Sequence, residues 1–202
     1  MIGTAMARKA GYDREKVLDK ALELFWAKGY HGTSLKDIEV ALDMRPGSIY
    51  AAFGSKEGLF AETLRLYADR SEQQFHQTMA AAETPLAGLA AHVRALGRQP
   101  SMPAPSRACM LVKTLLETPD DPDLRELAEA QMRRIETSFA TAFRAAQNAG
   151  QLGADRAPDH LASRLQAGIF GLRAYAQRGD AAGRMTGLAE SLAGDIEALA
   201  QS

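Results

Sequence analysis

Residues 33–60 read TSLKDIEVALDMRPGSIYAAFGSKEGLF, and this stretch decides how the rest of the chain is interpreted. Ser34 suits a helix N-cap, and Asp37, three residues later, completes a short acidic form of the capping box. Pro46 suits the first turn of a second helix, because the N–H that proline lacks has no partner there. Ser55 caps the start of a third helix. The spacing predicts a helix-turn-helix.

The apolar positions of this stretch support the same interpretation. Ile49 and Phe53 lie four apart and form the buried face of the second helix. Asp43 ends the first helix, and Gly54 permits a left-handed C-cap on the second. The apolar face of the first helix consists of Leu35, Ile38, Ala41 and Leu42.

The exposed positions fit a nucleic-acid surface. At the N-terminus of the second helix, side-chain donors and free backbone N–H groups can approach base edges or phosphate oxygens. Tyr50 can offer its hydroxyl to a phosphate oxygen, and Lys56 adds a cation in the next helix. The alternative is an ordinary three-helix unit whose exposed charges are solvated. The residues assigned to DNA binding are Thr33, Ser34, Arg45, Pro46, Gly47, Ser48, Tyr50 and Lys56.

Residues 14–60 resemble the DNA-binding domain of the TetR family of bacterial one-component regulators. The resemblance implies a DNA-binding domain at residues 1–60 and a helical effector-binding and dimerisation domain at residues 61–202. The matching motifs, in chain order, are Ala21-Leu22-Glu23-Leu24-Phe25, Gly29-Tyr30, Gly32-Thr33-Ser34, Asp37-Ile38, Gly47-Ser48-Ile49-Tyr50, Phe53 and Ser55-Lys56-Glu57-Gly58-Leu59-Phe60.

Four positions depart from the family pattern. Asp43 stands where relatives usually have a glycine in the tight turn, and Asp tolerates the left-handed region better than most residues. Glu39 stands where relatives have a small residue. Ala51 and Ala52 replace larger side chains, which limits direct base contacts there to a thymine methyl group.

Composition favours an all-α chain of 202 residues, because aromatic residues make up 6% and no segment alternates with period two. Residues 1–60 carry nine Lys and Arg against eight Asp and Glu, so DNA affinity must come from charges placed on one face. The single cysteine, Cys109, excludes an intrachain disulfide. No signal sequence and no run of 18 apolar residues occurs, which predicts a cytoplasmic protein without membrane association.

Several boundaries follow from local signals. Asp13 is the predicted cap of the first helix and Asp123 of the longest one, and a single helix is predicted from Ser55 to about residue 80. Residues 98–107, RQPSMPAPSR, are predicted to form a loop, either beside a cavity mouth or as a plain connector. Arg8 and Lys9 could form an arm on the DNA backbone; the alternative is a solvated terminus.

An effector pocket is the second candidate site, because in the resembled family the core between helices commonly doubles as a ligand cavity. Cys109 and Lys113 lie four apart on a predicted helix, and an ammonium beside a thiol lowers the thiol pKa. A redox- or electrophile-sensing repressor is therefore an alternative to a buried structural cysteine. The candidate pocket residues are Cys109, Val112, Met132, Phe139, Phe143 and Phe170.

The two C-terminal helices carry apolar stripes that predict pairing with a second copy in a four-helix bundle. The predicted dimer residues are Leu161, Leu165, Ile169, Leu172, Leu188, Leu192, Ile196 and Leu199.

Enzymatic chemistry has no support. The four histidines lack metal-ligand spacing, no Glu-x-x-His element occurs, and no glycine-rich phosphate loop is present. The sequence therefore predicts no enzyme, cofactor or metal. The resemblance to the TetR family implies a repressor that binds a palindromic double-stranded operator as a homodimer and is released by an unknown small effector. The alternative is an architectural DNA-binding or protein-interaction protein without an effector.

Overall fold

The computed structural model describes residues 3–98, 106–181 and 183–201, and within these ranges it describes the side chains of residues 14–200. Within these ranges the chain forms nine α-helices, a terminal 3-10 turn and no strand, which confirms the all-α fold class. The helices are α1 (Gly3–Lys28), α2 (Leu35–Leu42), α3 (Pro46–Phe53), α4 (Lys56–Ala80), α5 (Pro85–Gly97), α6 (Met110–Glu117), α7 (Pro122–Asn148), α8 (Pro158–Tyr175) and α9 (Met185–Glu197).

Helix α1 packs against α2 and α4 and braces the helix-turn-helix. Phe25 of α1 meets Phe60 of α4 edge-to-face, with ring centroids 4.9 Å apart. The prediction that Asp13 caps this helix is wrong, since α1 begins at Gly3. The residues before Asp13 include Ala, Met, Arg and Lys, which are strong helix formers and allow the helix to extend. The side chains of Arg8 and Lys9 lie outside the described residues.

Helix α4 connects the two ends of the molecule. Its N-cap is Ser55, whose hydroxyl accepts a hydrogen bond from the Gly58 N–H at 3.1 Å, and the helix ends at Ala80 as predicted. Leu64 near its start is buried among the N-terminal helices, and Phe75 near its end is buried in the C-terminal core. One rigid element therefore belongs to both hydrophobic clusters.

The C-terminal body consists of α5, α7, α8 and α9 packed around one hydrophobic cluster. The longest helix is capped by Asp121, whose carboxylate accepts a hydrogen bond from the Leu124 N–H at 3.0 Å. The prediction that Asp123 is the cap is wrong. Pro122 occupies the first helical position, so the cap falls one residue before it, and Asp123 lies in the first turn.

Most residues of the predicted dimer stripes pack in the hydrophobic core of the same chain. Leu161, Leu165, Ile169, Leu172 and Ile196 are buried in the C-terminal cluster, because α8 packs along α7 and α9 packs along α5. Most of their surface is therefore covered within one chain. Leu161, Leu165 and Ile196 still line an open groove with Leu192 and Leu199, and their assignment to a dimer interface remains a prediction. Leu192 and Leu199 are half-buried, and Leu188 remains 39% exposed.

Candidate functional site

The helix-turn-helix begins with the predicted capping box at Ser34. The Ser34 hydroxyl accepts a hydrogen bond from the Asp37 N–H at 3.1 Å, and the Asp37 carboxylate accepts one from the Ser34 N–H at 2.9 Å. Lys28 at the end of α1 pairs with the same carboxylate at 2.6 Å. The hydrogen bonds from Lys28 and then Ser34 hold the pKa of Asp37 well below its usual range. The start of α2 is thereby fixed to the end of α1.

Thr33 has a structural role in this arrangement. Its side chain is fully buried, and its hydroxyl donates a hydrogen bond to the Gly29 carbonyl at 2.6 Å. The expectation that the Thr33 side chain faces DNA is therefore corrected, because no part of it reaches the surface. Ser34, the next residue, is exposed and keeps its place among the DNA-binding candidates.

Helix α3 presents the surface that the sequence predicts. Ile49 and Phe53 are buried under it, and Asp43 and Gly54 take positive φ values of 53° and 75° in the turns on either side. Asp43 adopts the left-handed conformation, whereas Gly54, with ψ of −52°, does not. The exposed residues of this surface are Arg45, Pro46, Gly47, Ser48, Tyr50, Ala51 and Ala52.

Several polar side chains on this surface have no intramolecular hydrogen-bonding partner among the described residues. In the described part of the chain, the Arg45 guanidinium and the hydroxyls of Ser48 and Tyr50 make no hydrogen bond or ion pair, and Tyr50 is 48% exposed. Gly47 has no atom within 4 Å of the position a Cβ would take, so a large group can approach the backbone there. The assignment of these residues to DNA binding remains a prediction.

Lys56 lies beside α3 and rests on an aromatic ring. Its Nζ is 4.4 Å from the centroid of Tyr30, and burial lowers the pKa of Lys56. The Tyr30 hydroxyl donates to Glu57 at 2.8 Å, and burial, followed by this bond, raises the pKa of Tyr30. Tyr30 therefore stays neutral and orients the first turn of α4, from which Lys56 can extend toward a phosphate.

Sequence reasoning missed Arg14, which joins three helices. Its guanidinium binds Glu62 of α4 at 2.7 Å, donates to the Ala52 carbonyl of α3 at 3.3 Å and lies 4.7 Å from the centroid of the Phe53 ring. No motif marks this position. The contacts tie α1 to both α3 and α4.

Two side chains of α6 bind the end of α1. Lys113 donates to the carbonyls of Trp26 and Ala27, both at 3.2 Å, where the negative end of the helix dipole attracts a cation. The Glu117 carboxylate accepts a hydrogen bond from the Tyr30 N–H at 2.9 Å. The predicted pairing of Lys113 with Cys109 is wrong, because the ammonium is directed at these carbonyls.

Trp26 provides a further link between α1 and the C-terminal body. Its indole N–H donates to the Ala108 carbonyl at 2.8 Å, and its ring lies 5.5 Å from that of Tyr67, edge to face. The Tyr67 hydroxyl accepts a hydrogen bond from Arg173 of α8 at 3.2 Å. A continuous set of contacts thus runs from the DNA-binding helices to α8.

Arg173 and Tyr67 line a cavity between five elements of the chain. Its volume is about 50 Å³. Its walls are mostly apolar, with a few polar groups among them. The lining residues are Tyr67, Ser71, Gln74 and Phe75 of α4, His92 of α5, Cys109 and Leu111 beside and in α6, Met132, Ile135 and Phe139 of α7, and Gln166, Ile169, Phe170 and Arg173 of α8.

The structure brings together four of the six predicted pocket residues, namely Cys109, Met132, Phe139 and Phe170. Val112 instead lines an outer cleft that shares Cys109 and Phe170 with the cavity. Phe143 lies on the same face of α7 one turn beyond Phe139 and lines a separate groove with Leu161 and Leu165, so its assignment to the cavity is wrong. Of the predicted loop, residues 99–105 lie outside the described residues.

The polar cavity residues were missed by sequence reasoning. Gln166 and Arg173 share one face of α8 with Ile169 and Phe170, a pattern that indicates polar groups at core positions. Gln166 donates to the Met132 carbonyl at 2.9 Å. Burial, and to a lesser degree the positive charge of Arg173, lowers the pKa of His92 to about 4. His92 is therefore neutral near pH 7.

This pKa shift predicts a pH dependence of stability. In the unfolded chain the pKa of a histidine is about 6.5, so between pH 6.5 and 4 the unfolded state binds a proton that folded His92 does not. Stability falls as the pH is lowered through this window. We expect acidification from pH 7.5 to 4.5 to cost the wild type about 2 to 3 kcal/mol more than His92→Gln. Urea unfolding of both proteins at each pH measures the difference; equal losses would show that His92 does not titrate in this way.

The fold and the site together define a class of protein: an all-helical DNA-binding regulator with a helix-turn-helix at one end and a cavity-containing helical body at the other. None of the helices in the described ranges is long and apolar enough to cross a membrane. Comparison with known proteins agrees with this class. The family of "Bacterial regulatory proteins, tetR family" matches residues 17–63, and the "Tetracyclin repressor-like, C-terminal domain" matches residues 85–189.

Individual relatives extend the match over most of the chain. The HTH-type transcriptional repressor ComR of Escherichia coli (strain K12) is 30% identical over 173 residues, which cover 83% of this chain and 81% of ComR. A cysteine mutant of the TetR family regulator CifR, solved with 26-bp double-strand operator DNA, is 31% identical with a TM-score of 0.81, covering 89% of this chain and 95% of CifR. A TetR family regulator from Cytophaga hutchinsonii shares the fold, with 21% identity, a TM-score of 0.82, and coverage of 95% and 96%. The chain belongs to the TetR family and is a DNA-binding transcriptional regulator.

Proposed function

We propose that this regulator is a repressor that binds a palindromic operator as a homodimer and leaves it when a small molecule enters the cavity. The observation that carries the proposal is the course of α4, which starts beside the recognition helix at Lys56 and continues into the cavity wall at Tyr67 and Phe75. A ligand that repositions α4 at the cavity changes the placement of Lys56. Residues 1–60 and 61–202 serve as the proposed DNA-binding and effector-binding units.

The relatives support the repressor assignment. ComR is named as a repressor, and CifR was solved on operator DNA. Carried over to this chain, these properties support a complex in which α3 enters the major groove, with Arg45, Gly47 and Ser48 at the base edges and Tyr50 and Lys56 on phosphates.

The outer surface of α8 and α9, beside the largely buried stripes, is the proposed dimer interface. On α8 the exposed residues Ala167, Gly171 and Ala174 lie on one face and allow another helix to approach closely. On α9, Leu188 and the half-buried Leu192 provide apolar surface next to it. A twofold interface of these helices sets the spacing of the two recognition helices and therefore of the operator half-sites.

The cavity favours effector control over a purely architectural role, because an architectural protein has no need for polar groups inside its core. Sensing by Cys109 has less support. The thiol is buried, and Lys113, its expected activating partner, is bound to α1. Cys109 is accordingly assigned to the wall between the cavity and the outer cleft.

Substitutions in the proposed DNA-binding surface test this function. We expect Tyr50→Ala and Lys56→Ala each to weaken operator binding by about tenfold and to weaken binding to unrelated DNA by the same factor, because phosphate contacts carry no sequence information. Lys56→Ala should also reduce the slope of log K against log salt by about one. Fluorescence anisotropy with an operator selected in vitro, and with a scrambled duplex, measures both effects.

Arg45→Ala and Ser48→Ala are the matched comparison, since both residues lie at the N-terminus of α3, where the proposed complex places side chains at the base edges. They should change the preference between base pairs by about 1 to 3 kcal/mol for each hydrogen bond to a base that the substitution removes. Tyr50→Phe separates the role of the hydroxyl from that of the ring. Full operator affinity in the Tyr50→Ala/Lys56→Ala double variant would contradict the assignment.

A further inference from the structure

We propose that the cavity binds a monocarboxylic acid with an apolar body, and that Arg173 receives the carboxylate with Tyr67 beside it. This inference rests on the proposed function, since it names the chemical class of the effector. It starts from one anomaly, a cation in the wall of an apolar cavity that has no anionic partner among the described residues.

Arg173 is partly buried in α8, and its Nη1 donates a hydrogen bond to the Tyr67 hydroxyl at 3.2 Å. A guanidinium has five N–H donors in a planar fork that matches a carboxylate, so most of its hydrogen-bonding capacity remains available. Several other Arg residues of the C-terminal body form ion pairs: Arg94 pairs with Glu190, and Arg134 pairs with Asp69. Arg173 has no such partner within the described ranges.

No carboxylate of the described side chains is placed to neutralise this charge. The cavity lining contains no Asp or Glu. The acidic residues of α4 that lie closest to the lining residues in sequence, Asp69 and Glu72, are both bound to Arg134. Among the residues whose side chains lie outside the description, Asp13 is the only acid, and it is about 20 Å along α1 from Trp26, where that helix contacts the cavity wall. A cation in a poorly solvated site is stabilised most by an anion, and no described side chain supplies one here.

The remaining polar groups fit an acid rather than a cation. Tyr67 is deeply buried and stays protonated, because burial raises its pKa, so its hydroxyl can donate to a carboxylate oxygen. His92 is neutral at physiological pH and can donate one N–H. Gln166 has its amide N–H₂ on the Met132 carbonyl. None of these groups supplies the negative charge that a cationic ligand would need.

The apolar part of the cavity wall determines the size and apolar character of the rest of the ligand. Phe75 and Phe139 meet edge to face at 5.0 Å, and Phe170, Met132 and Ile135 complete the surface. A volume of about 50 Å³ holds only a few water molecules, so an organic acid must displace a side chain to fit. Phe170 is half-buried and separates the cavity from the outer cleft, which makes it the residue to move.

The test compares acids with neutral molecules of the same shape, in the absence of DNA. Isothermal titration calorimetry and thermal unfolding of the full chain are run with 3-phenylpropionate and octanoate and with their primary amides. We expect each acid to bind about 10- to 100-fold more tightly than its amide, as hydrogen bonds to a charged group imply. Arg173→Gln should remove this preference, and Arg173→Lys, which keeps the charge without the fork, should retain part of it. Arg65→Gln removes an exposed charge from α4 and should leave the preference unchanged.

The inference is overturned if the amides bind within about threefold of the acids, if Arg173→Gln keeps the preference, or if neither acid binds at about 10 mM. The comparison of acid with amide in the wild type needs no variant, so a folding defect in Arg173→Gln cannot obscure it. Because the titration contains no DNA, failure to bind an operator would count against the proposed function alone. Operator release by the amides but not by the acids would preserve that function and overturn this inference.

Discussion

Gly171→Glu combined with Leu188→Glu is expected to convert the protein into a folded monomer that loses at least about 10³-fold in operator affinity. Each half-site contributes only part of the binding free energy, and specific binding exceeds nonspecific binding by about 10³ to 10⁷. In one chain both positions are exposed, and nothing lies within 4 Å of a Cβ at Gly171, so the fold accommodates both side chains. Sedimentation should give a mass near 21.8 kDa.

A matched control adds two negative charges elsewhere. Gln73→Glu with Ala80→Glu alters exposed positions of α4, distant in sequence from α8 and α9, and should leave both the sedimentation and the operator affinity near wild type. Leu165 is unsuitable for this test because it is buried in the core, where a charge would unfold the chain rather than separate two copies. A Gly171→Glu/Leu188→Glu variant that still sediments as a dimer would show that the interface lies on other helices.

Gly29→Ala is the substitution expected to do most damage to the junction of α1 with α6. Gly29 has a φ of 78°, and an added Cβ would lie 2.3 Å from both carboxylate oxygens of Glu117. The methyl group must therefore displace Glu117 from the Tyr30 N–H. We expect a loss of about 2 to 4 kcal/mol in unfolding free energy, from the left-handed backbone together with an unsatisfied N–H.

Gly150→Ala measures the loss of unfolding free energy that comes from the left-handed backbone alone. Gly150 has a φ of 70° and no atom within 4 Å of its Cβ position, so only about 1 to 2 kcal/mol should be lost. Urea unfolding measures both. In a double-mutant cycle, Glu117→Ala should make Gly29→Ala less costly, since both changes remove the same hydrogen bond. Equal losses at the two glycines would mean that Glu117 moves aside freely.

The helix-turn-helix could be predicted from sequence because local signals determine it. The capping box at Ser34, the proline at the start of α3 and the cap at Ser55 act within three or four residues, and the structure has all three. The burial of Thr33 could not be predicted in this way, because its position next to an exposed cap says nothing about the Gly29 carbonyl, four residues earlier, to which its hydroxyl turns.

The packing of the C-terminal body was less predictable, because an amphipathic stripe does not show which helix will pack against it. The stripe of Leu165 and Ile169 is equally compatible with α7 of the same chain and with a helix of a second copy, and the folded chain uses α7. The cavity was predicted in part from its apolar residues. Its polar members, such as Arg173 and Tyr67, lie 106 residues apart in sequence, and only the tertiary fold brings them together.

The position of Trp26 makes its intrinsic fluorescence a probe of the junction between the two halves of the protein. It is the only tryptophan of the chain, and it lies between the DNA-binding helices and Tyr67 in the cavity wall. Indole emission shifts with the polarity of its surroundings, so the fluorescence of the unmodified protein comes from a single, known place. Ligand binding and DNA binding can therefore both be followed without a label. A shift of the emission maximum reports a change at the junction between the DNA-binding helices and the cavity, through which the two binding events would be coupled.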